Sequence, residues 1–215
     1  MKTLIINAHP NFANQQANSA QLQKAFLQRF RDRFPEDQVD VLNLAATPLP
    51  RLTEDELLGM WQRQAAHVTL TPTQARAQQI NRQLLDQFKA HQRIVIVTPM
   101  LNFNITSQMK DYMDNILVAR ETFRYTESGS VGLMTDNRRV LLLQSSGSIY
   151  TRDDRYTPME FSRLYLEKLF KTIMGFDDFQ IVRVQGTQTQ GVDPQAALQQ
   201  GLAELGPAFE QFYQD

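Results

Sequence analysis

Apolar residues follow two rhythms along this chain. Short apolar runs recur at "KTLIINA" (2 to 8), "QVDVLNL" (38 to 44), "RIVIVTP" (93 to 99), "RRVLLLQS" (138 to 145) and "FQIVRVQ" (179 to 185). They are too brief for helices and read as strands. The third and fourth are apolar on consecutive positions, as strands buried on both faces require, whereas the second and fifth alternate and suit the sheet's flanks. Between them apolar residues fall three and four apart: Leu22, Phe26 and Phe30; Ile80, Leu84, Leu85 and Phe88; Met109, Tyr112, Met113 and Ile116; Leu164, Leu166, Leu169, Phe170 and Ile173; Leu198, Leu202, Leu205, Phe209 and Phe212. Those are five amphipathic helices. Strands and helices that alternate in this way predict an α/β fold with a doubly wound parallel sheet and right-handed crossovers. One domain over residues 1 to 215 is expected, with an excursion at about 45 to 75 that carries Pro48, Pro50, Pro72 and the single tryptophan, Trp61. Such a connection is expected to hold a short helix and to cover something or pair with another subunit.

Composition removes several classes of function. With 215 residues, 42% of them hydrophobic and 21% charged, the chain suits a folded domain of ordinary type. A formal charge of -1 and no stripe of Lys or Arg argue against nucleic acid as a partner. Neither a leader-like apolar stretch nor an 18-residue apolar run is present, so a cytoplasmic protein without a membrane partner is expected. The absence of cysteine excludes disulfides, thiolate metal sites, dithiol relays and a cysteine nucleophile. His9, His67 and His91 lie far apart and form no zinc-ligand spacing, so no metal is expected. Any redox chemistry must then belong to a bound cofactor.

Doubly wound sheets bind ligands beyond the carboxyl ends of their strands, where strand order reverses. The loops after strands one, three and four are therefore the places to look. From His9 to Gln21 the first loop has no charged side chain but many donors, among them Asn11, Gln16, Asn18 and Ser19. With the free amides of the following helix, these suit a phosphate. Neither G-x-G-x-x-G nor G-x-x-x-x-G-K-[ST] occurs, so a monophosphate fits better than a dinucleotide or triphosphate. His9 is a candidate phosphate donor; Asn18 or Ser19 acting as a plain helix cap is the competing expectation.

The third loop places Met100, Leu101 and Phe103 beside Asn102 and Asn104 at a strand end, which suits the edge of a flat, partly polar ring. Burial beneath the 45 to 75 excursion is the alternative. The fourth loop, Ser145, Ser146, Gly147 and Ser148, offers small side chains and backbone amides that can approach a heterocycle. It is a poor hydrolase site, because G-x-S-x-G is missing and no histidine follows in the chain. A phosphate loop after strand one and ring loops after strands three and four are how a flavodoxin-like sheet of order 2-1-3-4-5 holds FMN.

Three segments carry a resemblance to a known family: "PMLNFNIT" at 99 to 106, "FRYTESGSVGL" at 123 to 133 and "SSGSIY" at 145 to 150. Over nearly its whole length the chain resembles the bacterial FMN-dependent NADH azoreductases and quinone reductases. The resemblance implies that Gln16, Asn18 and Ser19 bind the phosphate of a tightly held FMN and that Met100, Leu101, Asn102 and Phe103 bind its ring. Ser145, Ser146, Gly147 and Ser148 resemble the other flavin loop. It further implies a homodimer with two sites at the interface, the segment Phe123 to Tyr125 walling the substrate pocket. NADH or NADPH is the implied co-substrate, and quinones, azo compounds and nitroaromatics are acceptors that suit a flat apolar pocket. The chain departs from the family's pattern at His9, where many members have Ser, at Leu101, where an aromatic is usual, and at Ser146 and Ser148, where many have Arg and Gly.

Because the cofactor carries the hydride, no side chain is assigned a chemical step; Asn102 and Phe103 are expected only to orient the flavin. Two half-reactions in one pocket give ping-pong kinetics. An electron-carrier flavodoxin is the alternative, but such carriers are expected to be strongly acidic and this chain is near neutral. A flavin-free regulatory or hydrolytic protein is the third reading.

Overall fold

In the computed structural model, which describes residues 2 to 214, five parallel strands form the central sheet: β1 (Thr3–Asn7), β2 (Val39–Asn43), β3 (Arg93–Pro99), β6 (Arg139–Ser145) and β7 (Asp178–Val184). Their spatial order is β2-β1-β3-β6-β7, which is 2-1-3-4-5 counted along the sheet strands. The consecutive apolar runs are central, as expected: Ile94 to Val97 and Val140 to Leu143 are wholly buried. Alternate residues of each strand feed different cores. Leu4, Ile6, Ile94, Ile96, Val140 and Leu142 face helices α3 (Pro72–Lys89) and α4 (Ser107–Ile116), whereas Ile5, Val95, Val97, Leu141 and Leu143 face α1 (Asn18–Arg33) and α6 (Pro194–Phe212). Each central strand thus serves two apolar layers, which is why it tolerates no polar alternation.

The excursion holds one short helix, α2 (Leu57–Ala65), and ends earlier than the apolar spacing suggests. Thr71 accepts from the Gln74 amide while the Gln74 side chain accepts from the Thr71 amide, and Pro72 occupies the first turn, so α3 begins some eight residues before Ile80. That reciprocal cap satisfies two amides that would otherwise be free. Helix α5 (Phe161–Glu167) runs on as a π-helical segment, Lys168–Met174, stopped by Gly175 in the left-handed region at φ 89°.

A two-stranded antiparallel hairpin, β4 (Phe123–Thr126) with β5 (Gly129–Gly132), stands outside the main sheet. Its base is tightly fixed. The Leu133 amide donates to Thr122 (3.0 Å), the Met134 amide to Met174 (2.8 Å), and a Cβ on Gly132 would fall on the backbone of Met174 and Gly175. No helix among the described residues is long and apolar enough to cross a membrane.

Candidate functional site

Parallel registers align the carboxyl ends of β1, β3 and β6 on one edge, with Asn7 opposite Val97 and Pro99 opposite Ser145. The loops that leave these ends form the candidate site. Beyond Asn7, the Ala8 amide still donates to Val97 (2.8 Å), and the buried Asn7 side chain then accepts from the His9 amide (3.0 Å) while donating to Gln23 on α1 (2.9 Å). This fixes where His9 leaves the strand. Its Nδ1 accepts from the Asn11 amide (3.0 Å), which leaves the ring proton on Nε2 as a donor. Partial burial holds the imidazole below its ordinary pKa, so the ring is neutral at neutral pH.

The helix that follows is open to an anion. Its cap position is Ala17, which has no side chain to offer, and its first turn holds no acidic residue. The first free amides of α1 therefore lack the side-chain acceptor that Thr71, Thr106 and Asp193 give to α3, α4 and α6. Asn18 and Ser19 are the first two helical residues and do not cap, which rules out the plain-cap expectation. Ser19 is fully buried, and its hydroxyl has no partner among the described residues. A buried hydroxyl left unbonded is costly unless a ligand completes it. Gln16 is exposed, its amide turned back onto Asn14 (3.1 Å).

The third loop is a tight reversal. Leu101 and Asn104 exchange both backbone bonds (3.2 and 3.0 Å), and the two residues between them, Asn102 and Phe103, have φ of 49° and 66°. That is a type I′ geometry, easy for Asn and strained for Phe. Phe103 and Leu101 remain exposed at 37% and 46%, so the loop is not buried under the excursion; Met100 beside them is buried, and its amide donates to Ser145 (2.7 Å). Because Phe103 is strained and poorly packed, F103G is expected to change folding stability by less than about 1 kcal/mol in urea denaturation, where a core Phe would cost several. Thr106 joins this loop to the first: its hydroxyl caps α4 at the Met109 amide (3.3 Å) and donates to the Ala8 carbonyl (3.1 Å).

The fourth loop is held from behind. The segment after β7 donates to its carbonyls: Gly186 to Ser148 (3.1 Å), Thr187 to Ser146 (3.3 Å) and Gln188 to Gly147 (3.0 Å). Ser146 is buried, its hydroxyl donating to the Ser148 carbonyl (2.9 Å). The Ser146 amide is engaged as well, donating to the Val184 carbonyl (2.9 Å), so the amides of Gly147 and Ser148 are the ones left for a ligand. Gly147 also makes room for this brace, since an added Cβ would press on the Gln188 side chain at 3.3 Å.

Phe123 and Tyr125 do not join these loops within the single chain. They pack edge to face (ring centroids 5.3 Å, 83°) and line a separate cavity of about 840 Å³ with Trp61, Arg120 and Arg124, to which none of the four loop residues from Met100 to Phe103 contributes.

A family model described as the flavodoxin-like fold matches residues 1–207. An FMN-dependent NADH:quinone oxidoreductase 1 from Lactiplantibacillus plantarum is 65% identical over 99% of both chains, and an FMN-dependent NADH:quinone oxidoreductase from Streptococcus agalactiae is 46% identical over 99% of both. The solved FMN complex of an FMN-dependent NADH-azoreductase from Bacillus anthracis superposes with a TM-score of 0.93, at 41% identity over 99% of both chains.

The chain belongs to this flavodoxin-like family of FMN-dependent NADH:quinone oxidoreductases.

For a family member, the geometry adds residues that the motifs do not reveal. Asn7 aims His9, Thr106 couples two loops, and Gly186 to Gln188 brace a third. Of these, only Thr106 had a legible signal, a threonine directly before a helical apolar stripe.

Proposed function

We propose that this chain is an FMN-dependent oxidoreductase that takes a hydride from NADH and reduces quinones by two electrons and aromatic azo bonds to amines. The observation that carries the reading is the uncapped, acid-free start of α1 with the buried, unpartnered Ser19 hydroxyl. Asn18, Ser19 and the Nε2–H of His9 hold the phosphate, with Gln16 at the rim. Met100 and the turn of Leu101, Asn102 and Phe103 bound one side of the flavin ring, and the Ser145 to Ser148 loop faces its electron-rich side through the amides of Gly147 and Ser148. Bound there, FMN supplies the hydride chemistry. Phe123 and Tyr125 wall the acceptor, and NADH and acceptor use the same pocket in turn. The aromatic cavity has no carboxylic acid or histidine in its lining, so water delivers the proton.

Residues 1 to 215 act as one cytoplasmic domain, and two copies form a homodimer. Support for the dimer comes from the separation of the Phe123–Tyr125 cavity from the Met100–Phe103 loop, which a second copy closes. The test is anaerobic stopped flow on FMN-loaded protein. NADH is expected to bleach the flavin band, and benzoquinone or an azo dye to restore it. Flavin binding without bleaching would return the chain to the electron-carrier reading, and no flavin binding would remove both.

A further inference from the structure

The aromatic cavity is charged in one direction only. Trp61, Phe123 and Tyr125 supply flat apolar walls, Arg120 and Arg124 supply two guanidiniums, and the lining has no carboxylate. About 840 Å³ suits a ligand of two or three fused rings with a substituent. Neither guanidinium forms an ion pair among the described residues.

The acid that could have neutralised Arg120 is turned away. Glu121 follows it directly, but the Glu121 carboxylate is gripped from α3 by Lys89 (2.6 Å) and Arg82 (3.1 Å). The hydrogen bond from Lys89 and the positive charge of that pair hold it below the usual carboxylate range, so it stays ionised and facing α3. Lys89 and Arg82, the latter shared with Asp86 (3.0 Å), thus hold this acid, and among the described residues Arg120 has no counter-ion.

Arg120 is also held in place by its backbone. It sits in the left-handed region at φ 72°, its amide donating to the Phe123 carbonyl at 2.6 Å, and the buried Thr122 hydroxyl donates to Ile116 at 2.8 Å beneath it. A non-glycine residue kept in this conformation is strained and points to a role for its side chain. Guanidiniums beside aromatic faces recognise planar anions, which they meet with paired hydrogen bonds.

We propose that Arg120 and Arg124 make this cavity selective for aromatic acceptors that carry a negative charge, a sulfonate or carboxylate on a quinone or azo scaffold. The proposal rests on the oxidoreductase reading for turnover, but its binding half does not. The rings lie against Trp61, Phe123 and Tyr125, and the anionic group meets the guanidiniums.

Two measurements on the FMN-loaded full chain test it. Trp61 is the sole tryptophan, so its fluorescence reports the cavity directly. Naphthalene-2-sulfonate is expected to quench it at a concentration at least about tenfold lower than neutral 2-naphthol, and R120Q/R124Q is expected to erase that difference. In turnover, the double variant is expected to lower kcat/KM for 1,4-naphthoquinone-2-sulfonate at least about tenfold through KM. The same variant is expected to remove the salt dependence of that rate. NADH enters the same pocket, so its KM is the internal comparison and is expected to rise at least about threefold less than that of the sulfonated quinone. Equal losses for the sulfonated and unsubstituted quinones would make the arginines structural and overturn the proposal. A raised KM for NADH alone would assign them to the donor's phosphates and overturn it too. Quenching that discriminates as expected in a protein that turns over neither quinone would uphold the binding claim and sink the oxidoreductase reading instead.

Discussion

A17D is expected to stabilise the cofactor-free chain and at the same time to weaken FMN binding about a hundredfold or more. Ala17 is the cap residue of α1, and its extended backbone (φ -60°, ψ 136°) is one that a capping side chain can use. An aspartate there would accept from the unpaired first-turn amides and complement the helix dipole, worth about 1 kcal/mol. The same carboxylate would compete for the donors that the phosphate needs and sit a few ångströms from a dianion. At an effective dielectric near that of a protein surface, this repulsion amounts to several kcal/mol, more than the cap contributes. Melting temperature of the apo protein should therefore rise while FMN retention on desalting is lost. If A17D raises stability but leaves FMN affinity unchanged, the phosphate lies elsewhere. If both fall, the helix start is packed in a way that does not tolerate the side chain.

E160A should produce the largest loss of folding stability of any substitution outside the apolar layers discussed above, about 3 kcal/mol. Glu160 is 6% exposed and is clasped by Arg183 through both carboxylate oxygens (2.7 and 2.8 Å) and by Arg163 (2.8 Å). Gln144 reaches the same carboxylate at 3.4 Å and accepts from the buried Ser162 hydroxyl at 2.6 Å. Removing the carboxylate leaves the Arg183 guanidinium, its side chain 20% exposed, without its counter-charge. The cost of that bare charge exceeds the worth of the pair itself. Gln144 directly precedes Ser145, so the loss should also loosen the fourth loop and speed FMN release. Denaturation midpoints for E160A and the milder E160Q separate charge from packing: E160Q should fall between parent and E160A, and no loss in either would show that the two arginines find other partners.

The sheet was legible because burial on both faces leaves an unmistakable mark: four consecutive apolar residues in β3 and in β6 have no other economical explanation. The hairpin was not, because Gly129, Ser130, Val131 and Gly132 show neither alternation nor strand propensity; it exists through its contact with the π-helical segment. The early start of α3 was readable in Thr71, Pro72 and Gln74, but the apolar stripe begins later and masked it. At the site, the chemistry of the first loop was visible in its lack of charge. Its geometry was not, since any of these small and amide residues could stand where ψ switches from extended, 136° at Ala17, to helical. Phe103 at φ 66° follows no local preference at all, and the brace from Gly186 to Gln188 is made of ordinary polar residues whose value lies in where β7 delivers them.

The hairpin that carries Phe123 and Tyr125 has its two ends treated very differently. Gly132 lies directly on the backbone of Met174 and Gly175, with no room for even a methyl group, while Tyr125 near the far end is 75% exposed. Mechanically this is a cantilever, clamped at the root and free at the tip. A clamped beam deflects least near its support, so Phe123, paired with Gly132, is the fixed end of the hairpin and Tyr125 the end free to bend. In the acceptor pocket proposed above, the rigid ring would set where an acceptor begins, and the compliant one how large it can be.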